Sequence, residues 1–370
     1  MRKIMCVAGA RPNFMKVGPI MHALKATRGV QARLVHTGQH YDVGMNDVFF
    51  DELQIPRPDR SLNVGSGSHA VQTAQVMLAI EPVIEAERPD IAVVVGDVNS
   101  TLAATLVAVK LGVAVAHVEA GLRSFDRSMP EEINRLLTDQ VATLLFTTER
   151  GAEANLLREG IPVERIHFVG NVMIDSLIAC LPRAVPARDT FAAAGRGDLA
   201  ESAPGFALLT LHRPSNVDDP KTLGDLLETI LAVSELLPVV FPVHPRTARR
   251  IADAGLEAVF QQSKIVRLEP VGYLVALGLM RDARLVLTDS GGVQEETTGL
   301  GVPCLTLRAN TERPITIQEG TNELVGRDRE LILAKTRDIL ATGGKRGRVP
   351  ELWDGRSAER IAAHLAQAAL

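Results

Sequence analysis

The stretch Arg284–Gly301, RLVLTDSGGVQEETTGLG, gathers residue types that can hold an anion. Leu285, Val286 and Leu287 read as a buried strand. Asp289, Ser290, Gly291 and Gly292 turn the chain, and Val293–Thr298 begins a helix. The two glycines let the backbone approach a ligand, and the free N–H groups of the new helix point at it, a geometry suited to a phosphate or diphosphate. Glu295 and Glu296 follow in the first turns, where a carboxylate can accept bonds from ribose hydroxyls. The alternative is a strand-turn-helix corner with glycines for packing. Leu211-His212-Arg213-Pro214 and Pro242-Val243-His244-Pro245-Arg246 each place a His and an Arg at a strand end. Thr311-Glu312-Arg313-Pro314 adds a cation in a loop. Together these tips read as a diphosphate cradle; singly, each His reads as a cap or a surface residue.

Acids dominate the first half instead. One strand ends in Gly96-Asp97 and the next in Glu119-Ala120-Gly121-Leu122-Arg123. A helix start follows at Pro130-Glu131-Glu132-Ile133-Asn134-Arg135. Grouped carboxylates push their pKa values apart, which gives one proton donor and one acceptor. Each acid also has a plainer account. Asp97 reads as a helix cap, Glu119 as the partner of Arg123, and Glu131 as ordinary N-terminal helix chemistry. Arg11 and Lys16, in GARPNFMK, put two cations near a helix start, where the dipole already attracts anions. No G-x-G-x-x-G pattern, no His/Cys metal spacing and no G-x-S-x-G elbow accompanies them, so no cofactor, no metal and no hydrolase triad is expected.

Strands alternate with helices around these tips. Ile4–Ala8, Ala32–Thr37, Ile91–Val95, Val113–Val118 and Leu144–Thr147 read as strands, with helices expected at Met15–Ala26, His69–Glu87 (with a break expected at Pro82), Thr101–Leu111 and Glu131–Ala142. Continuous apolar runs mean strands covered on both faces, hence parallel sheets. A Pro-rich boundary lies near Pro182–Pro204, after which the pattern restarts. The expectation is an α/β chain of two Rossmann-like doubly wound domains, at 1–182 and 183–356, facing a central cleft, with a helix at 357–370 crossing back to the first.

Composition bounds the rest. The chain has 370 residues, 46% hydrophobic and 23% charged, with a net charge of −4. No basic cluster suggests nucleic acid, and no apolar run reaches a membrane span. Three separated cysteines, Cys6, Cys180 and Cys304, argue against a disulfide scaffold and for a reducing, cytoplasmic setting, and Cys6 and Cys304, in apolar strand runs, read as core packing.

In order, the segments RPNFMK, GDVNST, HVEAGLRSFDRSMPEEINR, HRPSN, PVHPRT, TDSGGVQEE and TERP resemble the non-hydrolysing UDP-N-acetylglucosamine 2-epimerases over nearly the full chain. The resemblance implies a glycosyltransferase-B-like (GT-B-like) fold, a homodimer and a UDP-sugar substrate. It also implies reversible epimerisation of UDP-GlcNAc to UDP-ManNAc for cell-surface polysaccharide, by elimination of UDP through 2-acetamidoglucal. By matched motif it makes Asp97, Glu119, Glu131, Lys16 and His212 catalytic. It makes Arg11, Arg135, His244, Tyr273, Ser290, Gly291, Gly292, Glu296 and Arg313 substrate-binding, with Glu296 on the ribose and Tyr273 in the uracil pocket. Asn13, Tyr41-Asp42 after Gln39-His40, the form HRPSNVDD and Ile315 depart from the familiar bacterial pattern. Tyr41-Asp42 puts allosteric activation by UDP-GlcNAc in question. Competing readings are a hydrolysing relative, an epimerase of a modified UDP-acetamido sugar, a retaining glycosyltransferase, and a non-catalytic nucleotide-sugar sensor.

Overall fold

The computed structural model describes residues 1–38, 50–201, 205–261 and 264–368. They form two compact units, Met1–Ala179 with Glu351–Leu370, and Cys180–Pro350.

The first unit is built on seven parallel strands. These are β1 (Arg2–Ala8), β2 (Val30–His36), β3 (Arg60–Ser61), β4 (Ile91–Val95), β5 (Ala114–Ala120), β6 (Leu144–Thr147) and β7 (Ile166–Phe168). Their order is β3-β2-β1-β4-β5-β6-β7. Crossovers run through α1 (Arg11–Ala26), α2 (His69–Glu87), α3 (Asn99–Lys110), α4 (Pro130–Val141) and α5 (Arg150–Arg158), and α6 (Val172–Cys180) follows β7. All five residues of β4 are buried, as an unbroken apolar run requires of a strand covered on both faces. Met5, Val7, Ile80, Val94 and Leu145 share one core. β1 has β2 on one side and β4 on the other, so the strand order reverses there. Such a switch point opens a crevice at the carboxyl ends of the strands.

The second unit repeats the plan with six strands, β8 (Ala207–Thr210), β9 (Val239–Pro242), β10 (Ile265–Leu268), β11 (Leu285–Thr288), β12 (Cys304–Thr306) and β13 (Asn322–Leu324). Their order is β10-β9-β8-β11-β12-β13, which puts the switch point between β8 and β11. Its helices are α7 (Ala187–Ala193), α8 (Pro214–Val217), α9 (Pro220–Ser234), α10 (Pro245–Asp253), α11 (Tyr273–Asp282), α12 (Gly291–Leu300), α13 (Pro314–Gln318) and α14 (Arg329–Thr342). Separate apolar cores cover the two faces of this sheet.

The last helix, α15 (Ser357–Gln367), belongs to the first unit. The chain rejoins that unit at Glu351, ahead of the helix, because Trp353 is buried and its indole N–H donates to the Thr148 carbonyl at 3.0 Å. Asp175 then caps α15 from α6, accepting from the N–H groups of Ser357 and Ala358 at 3.2 and 2.7 Å. Pro82 does not break α2. The proline is exposed, so water can take the carbonyl its missing N–H leaves free. α1 begins at Arg11, four residues before the sequence expectation, because Asn13 substitutes for a cap. Its Oδ1 accepts from the N–H groups of Gly9 and Ala10 at 3.2 and 2.9 Å.

Candidate functional site

At the first switch point a charge cluster is assembled from α1, α4 and the ends of β4 and β5. Pairing of β5 with β6 shifts between Val118 and Ala120, and Glu119 stands at the irregularity with φ 72°. A bulge re-aims a side chain, and a non-glycine residue in this region persists only where its surroundings hold it. Glu119 is 1% exposed. Its carboxylate is ion-paired with Lys16 of α1 and lies 3.8 Å from the Arg135 guanidinium. Arg135, equally buried, donates to the Glu119 carbonyl at 2.8 Å and to Asp97 Oδ2 at 2.7 Å. One arginine thus links two strand tips. Gly96 gives this pair its room: a Cβ there would lie 3.3 Å from Lys16 Nζ and 3.4 Å from Glu119 Oε2. Asn13 Nδ2 donates to the Val95 carbonyl at 3.0 Å and ties the start of α1 to the end of β4.

A second buried layer supports the tips. The His117 ring faces Asp139 at 2.6 Å and the Gly96 carbonyl at 2.8 Å. Asp139 also accepts from Gly121 N–H at 3.0 Å and pairs with Arg123 at 2.7 Å. Burial pushes the Asp139 carboxyl up, but His117 and Arg123 outweigh it and hold the group below the usual carboxylate range. Arg123 is therefore the partner of Asp139 and Glu159, and Glu119 has Lys16 and Arg135 in its place. Asp97 is not a cap either; Val98 is the N-cap of α3. Glu131 stands half-buried in the first turn of α4, four residues before Arg135 and so on the same helix face. Among the described residues it makes no side-chain hydrogen bond or ion pair. Its neighbour Glu132 does, accepting from Ser124 N–H at 2.8 Å and Phe125 N–H at 3.2 Å to fix the preceding loop. The backbone of Arg11 opens α1, and its side chain lies outside the described set, as do Tyr41 and Asp42.

The second switch point carries cations. Buried Asp289 accepts from the N–H groups of His212 and Arg213, from Asn216 Nδ2 at 3.2 Å, and faces His212 Nδ1 at 3.1 Å. Burial pushes its carboxyl up, yet these partners hold it below its ordinary value. His212 is thereby fixed with Nε2 directed away from Asp289. The His244 ring lies 5.7 Å from it and caps α10, with Nδ1 accepting from Arg246 N–H at 3.2 Å.

Ser290 is the N-cap of α12 without a side-chain capping bond, and Gly291 and Gly292 form its first turn. A Cβ on Gly291 would lie 3.9 Å from both the Arg313 guanidinium carbon and Glu312 Oε2. Arg313 donates to Glu295 at 2.9 Å, and Arg308 grips Glu312 at 2.8 and 3.0 Å. Burial opposes ionisation of Glu312, but Arg308, Arg313 and Arg213 pull its carboxyl down to about 2. Tyr273, at the start of α11, donates to Glu296 Oε1 at 2.8 Å. Burial pushes the Glu296 carboxyl up to about 7; the Tyr273 bond opposes this and the Glu295 charge adds to it.

Lys16, Asp97, Glu119 and Arg135 are thus brought into one connected set in the first unit. In the second, His212 joins His244, Gly291 joins Arg313, and Tyr273 joins Glu296. Asn13, Asp139, Asp289, Arg308 and Glu312 were not singled out as site residues from the sequence. Only the i,i+4 spacing of Arg308 and Glu312 could have signalled a pair. Among the described residues no group of three or more His, Cys, Asp or Glu could hold a metal, and no helix is long and apolar enough to cross a membrane.

Fold and site together describe an α/β chain of two doubly wound parallel-sheet units, each with charged groups at its switch point. The family model for UDP-N-acetylglucosamine 2-epimerase matches residues 22–366. The chain is 44% identical over 362 residues, 97% of each protein, to a UDP-N-acetylglucosamine 2-epimerase of Methanocaldococcus jannaschii. It is 42% identical over 369 residues, 99% of each, to a UDP-2,3-diacetamido-2,3-dideoxy-D-glucuronate 2-epimerase of Pseudomonas aeruginosa. The crystal structure of the M. jannaschii enzyme with UDP-GlcNAc and UDP superposes with a TM-score of 0.88 at 43% identity, covering 99% of this chain and 100% of that one. The chain therefore belongs to the UDP-N-acetylglucosamine 2-epimerase family and has its GT-B-like fold.

Removing Arg135 strips half-buried Asp97 and buried Glu119 of a shared cation. Arg135→Ala is expected to lose about 3 kcal/mol of stability in urea unfolding. A change within about 0.5 kcal/mol would mean the guanidinium does not hold the tips.

Proposed function

We propose that this chain interconverts UDP-GlcNAc and UDP-ManNAc. The observation that carries this reading is a carboxylate–cation cluster at the switch point of one unit and a cation-lined helix start at that of the other, in a chain of this family. The carbon-2 proton of the sugar is only weakly acidic, so its removal must be coupled to departure of the group on carbon 1. A carboxylate takes the carbon-2 proton, the C–H electron pair becomes the C1=C2 double bond, and the C1–O bond breaks to release UDP. The products of this half-reaction are 2-acetamidoglucal and UDP. UDP then re-adds at carbon 1 and a proton returns to carbon 2 on the opposite face.

Asp97, Glu119 and Glu131 are the proton-handling carboxylates, with Lys16 and His212 the other catalytic groups. Glu131 makes no ion pair among the described residues, whereas Glu119 is fixed by two cations. Arg11, Arg135, His244, Ser290, Gly291, Gly292 and Arg313 bind the nucleotide sugar, and the α12 start with its arginines stabilises charge on the leaving diphosphate. Glu296 takes the ribose.

Incubation with UDP-GlcNAc in heavy water tests this. The expected NMR result is deuterium at carbon 2 in UDP-ManNAc, with Asp97→Asn and Glu131→Gln abolishing turnover while UDP still binds. Free ManNAc in the mixture would support a hydrolysing enzyme. UDP binding without exchange would support a second reading, an epimerase of a modified acetamido sugar, which the 42% identity to the diacetamido-glucuronate enzyme favours. Wild-type turnover in both variants would remove those carboxylates from the reaction.

The protein acts as a homodimer in the cytoplasm. Its three buried free thiols suit a reducing compartment. Ile133, Leu137 and Val141 recur every four residues on one face of α4 and are each more than a third exposed, an apolar stripe that a second copy would cover. Sedimentation should give a dimer for the wild type and a monomer for Leu137→Asp; a monomeric wild type would refute the assignment.

A further inference from the structure

We propose that Tyr273 is a positioning residue for nucleotide capture: its hydroxyl pins one oxygen of the Glu296 carboxylate and leaves the other to accept from a ribose hydroxyl, so that UDP binding is coupled to ionisation of Glu296. The inference rests on the reading that Glu296 meets the ribose, and it gives Tyr273 a task other than lining the uracil pocket.

Glu296 is 5% exposed and its one hydrogen bond among the described residues comes from Tyr273. A buried carboxylate with a single neutral donor and no cation is under-solvated. The other charged or titratable groups on the elements packed around α12 are committed elsewhere. Arg313, ahead of α13, donates to Glu295 on α12 itself. Asp289, at the end of β11, takes the His212 and Arg213 donors. Glu323 of β13 pairs with Lys335. Cys304 of β12 has its thiol pushed up to about 12 by burial, so it stays neutral. Cys180 faces the Tyr273 side of the pair. Burial, Glu296 and Cys180 all raise the Tyr273 phenol, so it remains a donor at every ordinary pH.

The sign of the coupling follows. Ribose hydroxyls donate, so they need the carboxylate form, whose formation burial defers to about 7. UDP therefore binds more weakly below neutrality, and near neutrality its binding expels a proton. Losing the Tyr273 bond raises the Glu296 carboxyl further and shifts the whole profile to higher pH.

The test is calorimetric titration of the full-length protein with UDP, in buffers of differing ionisation enthalpy, from about pH 6 to about pH 8. The wild type should release a fraction of a proton near neutrality and bind more tightly as pH rises. Tyr273→Phe should weaken UDP about fivefold at neutral pH and move the midpoint upward. Glu296→Gln should bind without that pH dependence. Wild-type affinity and midpoint in Tyr273→Phe, with its melting temperature unchanged, would overturn the role of Tyr273. Zero proton release by the wild type while UDP binds would overturn the coupling. A wild type that binds no UDP at any pH would instead remove the functional reading on which both rest.

Discussion

A carboxylate that must be buried at the end of an apolar strand governs the first unit. Glu119 follows four buried residues of β5, and there it is out of reach of bulk water. Leaving it unpaired would be expensive, so cations have to arrive from other elements. Lys16 comes from α1 and Arg135 from α4. Their arrival explains much of the local backbone: the irregular pairing at Val118–Ala120, the left-handed Glu119, the side-chain-free Gly96, and the Asn13 clamp at the start of α1. The His117–Asp139–Arg123 layer beneath fixes those backbones in turn.

The second unit solves the opposite problem. Helix α12 starts at a strand end with free N–H groups and a positive dipole end, and arginines 308 and 313 crowd the same corner. Acids keep that excess in order: Glu312 and Glu295 take the guanidiniums, and Asp289 gathers the His212–Asn216 turn. One unit holds carboxylates with cations, and the other holds cations with carboxylates, each at the point where its strand order reverses. That division matches the chemistry proposed, proton handling in one and stabilisation of a leaving diphosphate in the other.

Much of this was legible in the sequence. Unbroken runs such as Ile91–Val95 marked buried parallel strands, and the tips that follow them marked Asp97, Glu119, His212 and Ser290. What could not be read was partner choice. Arg123 is four residues from Glu119, and nothing in the spacing says that Asp139, sixteen residues beyond Arg123, claims it instead. The buried service of Arg135 depends on how α4 docks beside β5, a tertiary fact. Strands β3, β7 and β13, of two or three residues each, are too short to carry a periodic signal. The two histidine tips look alike in sequence, yet only one is a cap: His244 receives a backbone N–H, whereas the His212 ring faces a buried aspartate.

In the proposed reaction the bond from carbon 1 to UDP breaks and re-forms on this protein while carbon 2 exchanges its proton. Positional isotope exchange addresses it most directly, using UDP-GlcNAc with heavy oxygen between carbon 1 and the β-phosphorus. Recovered substrate should carry the label in non-bridging phosphate positions as well, because the freed diphosphate turns before it re-adds. Epimer accumulating with the label still wholly in the bridge would contradict that reaction.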